Sequence, residues 1–333
     1  MRVVLTDRRF TDQEPYREAV EAAGGELVAV EAETEAEVVA ACRDADVVVT
    51  FKAPISRAAI EAMGDCRLIM RNGAGFDNVD VAAASEHGIP VSNVPGYGND
   101  DVASHAIALM HAAAHEIVHA DRDVRESEGW GERRPINPMY GRTFGIVGFG
   151  RIGRAAVPMA RGLDMDVIAY DPYVDDDVFE AFGVERVTFA DLLDRAACVS
   201  IHAPLTAETR GLFSTPEFER MAADAVLVNT ARGPIVDEAA LVEAVEEGAI
   251  YAAGLDVFET EPPTDTPALA CDRIVCSPHH GGMSPRANER CVAIGREEIV
   301  RALTGEHLRN VVNPEVFQRG EGLVNPERDA WSE

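Results

Sequence analysis

The sequence predicts an α/β protein of two domains, each a parallel sheet covered by helices on both faces. Three observations carry the prediction. Short apolar runs rich in Val and Ile alternate with helix-period segments along the whole chain, the alternation that strand–helix–strand crossovers produce. The runs are too many for one sheet, and they fall into two groups around a long helical stretch near 98–127 that reads as a bridge. At 333 residues the chain can bury two separate cores.

In chain order, the first group is RVVLTD (2–7), ELVAV (26–30), DVVVT (46–50), RLIMR (67–71) and PVSN (90–93), with helices expected at 14–23 and 34–44. The second is RTFGIVG (142–148), MDVIAYD (165–171), CVSIHA (198–203), AVLVNTA (225–231), AAGLDV (252–257) and RIVCSP (273–278), with helices at 151–163, 237–247 and 284–303. No short-period repeat or low-complexity linker interrupts them. The final residues lack periodicity, so 317–333 is expected to be a loosely ordered tail.

The formal charge is -28, from 58 acidic and 30 basic residues; one of the 30 is a lysine, Lys52, which leaves 29 arginines. An acidic, lysine-poor surface over an ordinary core suggests work in concentrated salt, where screening confines self-repulsion to roughly 3 Å. A GC-rich genome encoding a merely acidic protein is the plainer alternative. Such a field repels nucleic acid and anionic membrane, so neither is expected as a partner. No apolar stretch approaches the ~18 residues of a membrane span. MRVVLTD runs straight into a strand pattern without the parts of a secretory leader, so the expected location is cytoplasmic. The cysteines (42, 66, 198, 271, 276, 291) are scattered, several in apolar runs, which suits reduced, buried thiols rather than a metal site.

GFGRIG at 148–153 follows the run TFGIVG and opens a helix, the context in which G-x-G-x-x-G binds a dinucleotide. Gly148 permits the tight turn, Gly150 lets the backbone approach a pyrophosphate, and Gly153 lets helix and strand pack closely. The helix N-terminus, with Arg151 beside it, attracts the diphosphate. Asp171 ends the next strand, where a carboxylate should accept bonds from the ribose hydroxyls. The following PYVDDD offers no base for a 2′-phosphate, so NAD is expected over NADP. The bland reading is a packing turn. Pro158 falls inside the helix and should kink it, or cost about 3 kcal/mol if the helix runs on.

Four further segments carry chemistry: VNTARGPIVDEAAL (228–241), GLDVFETEPP (254–263), SPHHGG (277–282) and the NGAGFDN turn at 72–78. With GFGRIG and YDP, in this order over roughly 1–316, they resemble the D-2-hydroxyacid dehydrogenases, the family of phosphoglycerate dehydrogenases, glyoxylate and hydroxypyruvate reductases and C-terminal binding proteins. The resemblance implies a catalytic set of Arg232, Glu261 and His279. It implies two Rossmann-like domains, the substrate domain flavodoxin-like and discontinuous (1–97 plus 286–316), the NAD-binding domain at 98–285, with the active site in a cleft between them. It also implies a homodimer joined through the coenzyme domains. Asp256 would bond the nicotinamide carboxamide, and Ile152, Pro172, His202, Ala203, Pro204 and Thr209 would join the cofactor set. So would Thr230, Ala231, Arg232, His279 and Gly281. The backbone N–H groups of Ala74 and Gly75 would anchor the substrate carboxylate.

The chemistry needs these residue types. A planar guanidinium can bind a 2-keto acid's carboxylate and polarise its carbonyl, which suits Arg232. Once hydride arrives, the carbonyl oxygen must be protonated by an acid that works near neutral pH, and His279 fits. Glu261 beside the imidazole would favour its protonated form and hold its orientation. Taken singly, the same residues could be a surface ion pair, a solvated acid and a satisfied loop histidine. Lys52 stands where the family lines its substrate pocket, and Arg71 resembles an arginine that reaches substrate in the C-terminal binding proteins, which together would favour a polar or doubly charged substrate; a solvated strand end is the alternative for Lys52. His280 stands where apolar residues are commoner in the family. HGGMS lacks the aromatic residue of the C-terminal binding proteins, which weakens a match to those corepressors. The chain ends soon after helix 284–303, so an appended regulatory domain is not expected.

Two other readings compete. HEIVH at 115–119 fits the H-E-x-x-H zinc motif, with Glu116 as base and His111 one turn earlier, but no third ligand follows at the usual spacing. The plain reading puts these histidines on the polar side of an exposed helix. An NAD-sensing interaction protein could keep the same triad with little turnover.

Overall fold

The computed structural model describes residues 1–7, 13–127 and 129–318. The chain divides into two compact units, one of Met1–Tyr97 with the described residues from Pro285 onward, the other of Gly98–Ser284.

The first unit is built on β1 (Arg2–Leu5), β2 (Glu26–Ala29), β3 (Val47–Thr50), β4 (Leu68–Arg71) and β5 (Val91–Ser92), all parallel in the order β2-β1-β3-β4-β5. This is the flavodoxin-like order. Side chains alternate between faces along a strand, so each strand feeds two cores. Val4, Val48 and Ile69 join one, while Val3, Val49 and Met70 join the other, beneath the helix Pro285–Thr304. Helix starts follow local chemistry: Thr34 caps Glu35–Cys42 through a reciprocal box with Glu37, and Ser56 and Asp80 cap the next two helices.

The second unit contains β6 (Thr143–Val147), β7 (Asp166–Tyr170), β8 (Glu185–Arg186), β9 (Cys198–Ile201), β10 (Val226–Asn229), β11 (Ala252–Leu255) and β12 (Ile274–Cys276). The order β12-β11-β10-β9-β6-β7-β8, parallel throughout, is the dinucleotide-binding arrangement extended by one strand. The crossover reverses between β6 and β9, and the loops after these two strands meet there.

Three expectations need correction. The stretch 98–127 is two helices, Asn99–Ala114 and Ile117–Glu126, broken at Glu116, whose φ is 50°. No Gly or Pro marks the break. The Glu116 carboxylate accepts from the Tyr251 hydroxyl at 2.9 Å and from Arg134 Nη1 at 3.2 Å, tertiary bonds that override helix propensity. HEIVH therefore straddles a break, its glutamate is already engaged, and His119 is buried instead of lying on a polar face. Pro158 falls inside a helix that runs on over Arg151–Gly162, the second of the two outcomes expected for it. The two-residue strand β8 has no counterpart among the expected strands; it is too short to show a period.

Of the expected tail, 319–333 lies outside the described residues, while Pro314–Gln318 forms a 3-10 turn. All six cysteines are free thiols, with Cys271 and Cys276 only partly buried. Among the described residues, no helix is long and apolar enough to cross a membrane.

Candidate active site

Three neighbouring strands deliver the three expected catalytic residues. β10, β11 and β12 lie side by side, and Arg232, Glu261 and His279 follow their C-terminal ends. The ladder continues past the strands through Asp256 N–H to Asn229 O (2.9 Å) and Ser277 N–H to Leu255 O (2.8 Å), which fixes where each loop departs. His279 Nδ1 lies 2.7 Å from Glu261 Oε2. A carboxylate only accepts, so Nδ1 carries the proton and Nε2 becomes the edge of the ring turned away from Glu261. Glu261 Oε1 is held by the Phe258 N–H at 3.3 Å. His279 itself sits at φ 52°, a left-handed conformation that costs a non-glycine residue of order 1–3 kcal/mol.

The Arg232 loop presses on the Glu261 loop. A Cβ on Gly233 would stand 1.8 Å from the Phe258 carbonyl carbon, so only glycine lets the two backbones approach this closely. Asn229 braces the loop from below, its Nδ2 donating to Arg232 O (2.9 Å) and its Oδ1 accepting from Ala231 N–H (3.0 Å). The guanidinium Nη1 donates to Ala231 O at 2.6 Å.

Behind His279, Asp256 is almost fully buried and organises the histidine loop. Its Oδ1 accepts from Ser277 Oγ (2.6 Å) and His280 N–H (3.0 Å), and its Oδ2 from Gly281 N–H (2.9 Å). The Ser277 proton is thereby spent, so His105 Nε2–H donates to Ser277 Oγ at 2.9 Å, with Asp256 Oδ1 3.4 Å away. Burial alone would raise the Asp256 carboxyl; the donations from His105, Ser277 and the two N–H groups outweigh it and hold its pKa at about 2. His105 and Ser277 escaped the sequence reading. Ser277 had a signal in its place directly before Pro-His, whereas His105 lies 151 positions from Asp256 (256 − 105) and had none.

The glycine motif separates by role. A Cβ on Gly148, at φ 94°, would meet Ala203 N at 2.5 Å, and one on Gly153 would meet Gly148 O at 2.4 Å. A Cβ on Gly150 would meet nothing within 4 Å. Packing thus explains the outer glycines and leaves the middle one unexplained, which fits a site where a pyrophosphate approaches the backbone. Asp171 Oδ2 accepts from Phe149 N–H inside the motif (2.8 Å) and Oδ1 from Tyr173 N–H (2.9 Å). Arg151 is exposed at the helix start, Ile152 packs partly buried against the core, and Pro172 is exposed.

Beyond β9, His202 Nε2 pairs with Ser200 Oγ at 2.9 Å, Ala203 is buried, and Pro204 O accepts from Thr209 Oγ1 at 2.6 Å. His202 Nδ1 and Thr230 Oγ1 are buried polar atoms without a hydrogen-bond partner among the described residues, as a cofactor-binding strand edge would leave them. Burial holds the His202 pKa at about 4. One expectation changes here. Pairing of β8 with β7 brings Arg186 to the Asp171 carbonyl (3.0 Å), so a base does stand nearby, tied by Nη1 to Asp176 at 2.5 Å.

The expected substrate residues of the first unit lie around the ends of β3 and β4, where Thr50 and Arg71 are register partners. Asp7 Oδ2 accepts from the Phe51, Lys52 and Ala53 N–H groups at 2.9–3.1 Å, which fixes the Lys52 turn. The Arg71 guanidinium stacks on Phe51, 5.5 Å from the ring centre. Ala74 O accepts from Asn93 Nδ2 at 2.6 Å, and Ala74 and Gly75 are half-buried in the turn after β4.

Comparison with known proteins bears on these features. Residues 107–281 match the family described as D-isomer specific 2-hydroxyacid dehydrogenase, NAD binding domain. The D-3-phosphoglycerate dehydrogenase of Methanocaldococcus jannaschii is 38% identical over 98% of this chain and 62% of its own length. A glyoxylate reductase of Korarchaeum cryptofilum is 39% identical over 83% of this chain and 85% of its own. The chain spans only 51% of a second phosphoglycerate dehydrogenase, from Archaeoglobus fulgidus. Among solved structures, a glyoxylate reductase from Paecilomyes thermophila superposes with a TM-score of 0.86 at 29% identity, over 94% of this chain and 98% of that one. An NAD-dependent formate dehydrogenase from Staphylococcus aureus in complex with NAD gives 0.79 at 27%, over 94% and 99%.

Proposed function

The chain belongs to the D-isomer specific 2-hydroxyacid dehydrogenases, and from that premise we propose that it reduces a small 2-keto acid with NADH. The observation that carries the reading is the 2.7 Å pair of His279 and Glu261, from the loops after β12 and β11 beside the Arg232 loop. NADH, when bound, supplies the hydride. Arg232 binds the carboxylate and polarises the carbonyl, and its fork geometry suits both oxygens. His279 gives the proton on Nε2 to the carbonyl oxygen as charge develops there. Glu261 keeps the ring oriented and stabilises the protonated imidazole. Gly150 and the helix start hold the diphosphate, in a turn that Gly148 and Gly153 make possible; Asp171 binds the ribose, and Asp256 the carboxamide end of the nicotinamide. Lys52, Arg71, Ala74 and Gly75 are assigned to substrate recognition on sequence pattern.

The protein is further proposed to be a homodimer. Trp130 is 77% and Tyr140 73% exposed on the second unit, with Ile117 and Ile136 also open to solvent. An exposed apolar surface of this kind suits association.

The test follows NADH, then NADPH, oxidation in low salt and in molar potassium chloride. Substrates are glyoxylate, hydroxypyruvate, pyruvate, phosphohydroxypyruvate, and branched and aromatic keto acids. Saturable turnover that is abolished by Arg232→Ala and by His279→Ala supports the reading. Tight NADH binding without turnover on any member replaces it with the NAD-sensing protein.

A further inference from the structure

We propose that the second unit holds a divalent transition-metal site of the zinc type at His119, Asp123 and Glu132, outside the catalytic machinery. One ligand atom from each lies within 4.8 Å of the other two. His119 is 7% exposed, and its Nε2 is a buried polar atom with no hydrogen-bond partner among the described residues. Yet that nitrogen is only 3.2 Å from Asp123 Oδ2. In a hydrogen bond the N–H points at the oxygen; here the oxygen is near but off that line. Two ligands of one zinc ion, each ~2.0–2.1 Å from it at a tetrahedral angle, stand roughly 3.3 Å apart and both point at a third position. The His119–Asp123 separation of 3.2 Å, without a hydrogen bond, matches that second case.

The surroundings are built to match. Asp123 is four residues after His119, on the same face of the helix Ile117–Glu126. The chain then folds back: Glu132 N–H donates to Asp123 Oδ2 at 3.2 Å, and Gly131, at φ 62°, lies so close that a Cβ there would meet Asp123 Cβ at 2.7 Å. On the other ring nitrogen, Nδ1 faces Asp272 Oδ2 at 3.6 Å and Arg122 Nη2 at 3.0 Å. When Nε2 binds metal, the ring proton moves to Nδ1, which gives up the bond it accepts from Arg122 Nη2 and donates instead to Asp272, the carboxylate–histidine–metal relay of known zinc sites. Arg122 keeps its pair with Asp272. Glu132 exchanges part of its pairing with Arg134 (3.0 Å) for the ion, and solvent completes the shell on its exposed side.

The imidazole and two carboxylates favour zinc or cobalt over the oxygen-only shells of calcium and magnesium. The ion pins the segment carrying Trp130 and Arg134 to the helix. A second histidine–carboxylate group, His105, Asp256 and His280, is less suited, because Asp256 already accepts three hydrogen bonds from the histidine loop and belongs to the proposed cofactor site.

The full chain is stripped with chelator, dialysed and titrated with Co²⁺ and with Zn²⁺, metal content being counted per chain. The expected result is one ion per chain and a visible cobalt spectrum of tetrahedral or five-coordinate type. Asp123→Asn and Glu132→Gln each weaken binding at least tenfold without moving the metal-free unfolding temperature, and Asp272→Asn weakens it about 10–100-fold. No stoichiometric binding overturns the proposal. So does binding indifferent to Asp123→Asn and Glu132→Gln, or binding abolished by His280→Ala instead.

Discussion

Replacing Gly150 by alanine separates cofactor binding from folding. Gly150 sits at φ -76°, ψ -161°, extended backbone that alanine adopts without strain, and its added methyl meets no protein atom within 4 Å. Folding should barely respond. Alanine gains up to about 0.4–1 kcal/mol from a less free unfolded chain and loses a similar amount as a poorer N-cap. Gly153→Ala is the contrast, since its methyl lands 2.4 Å from the Gly148 carbonyl oxygen and 2.9 Å from Ile146 Cγ2. Such overpacking costs about 1–3 kcal/mol. If a diphosphate lies against Gly150, the methyl holds it off the N–H groups of the helix start. Losing one hydrogen bond to a charged group, about 1.5–3 kcal/mol, weakens NADH about 10–150-fold. NADH fluorescence titration and thermal unfolding of both variants measure the two effects. Unchanged NADH affinity in Gly150→Ala, or a stability loss matching that of Gly153→Ala, refutes the assignment.

Glu261→Gln keeps the shape of the pair with His279 Nδ1 but removes the charge, so turnover should fall at least tenfold with the NADH KM unmoved; a parallel rise in that KM would point to a cofactor role instead. Asp171→Ala should relax the preference for NADH over NADPH by about tenfold or more, because it leaves Arg186 beside the position of the 2′-hydroxyl; unchanged selectivity removes Asp171 from ribose recognition. His202 gives a pH signature. Burial lowers its pKa from 6.5 to about 4, so on acidification the unfolded chain takes the proton first. The stability it contributes is complete above pH 6.5 and is lost as pH falls toward 4. Denaturant midpoints at pH 7 and 4.5 should therefore drop more in the wild type than in His202→Gln; equal drops would show that another group titrates.

Much was legible in the sequence because the signals are local. Val and Ile runs form strands buried on both faces wherever they stand, and the GFGRIG turn needs its glycines for contacts within one βα unit. Arg232, Glu261 and His279 were singled out in the sequence by resemblance to a family's motifs; each follows a strand end, and parallel adjacent strands put such ends side by side. Tertiary structure alone decided the rest. The break at Glu116 depends on Tyr251 and Arg134, which chain-order propensity does not see. His105 supports Asp256 through Ser277 only because the helix Asn99–Ala114 packs beside β11. Arg186 reaches Asp171 through a two-residue strand pairing too short to leave a pattern. His119, which as part of HEIVH suggested a zinc helix, finds its carboxylates in Asp123 and a returning loop. Periodicity reports which face a residue takes within its own element; a partner far along the chain is chosen by packing, which the sequence encodes only through the whole fold.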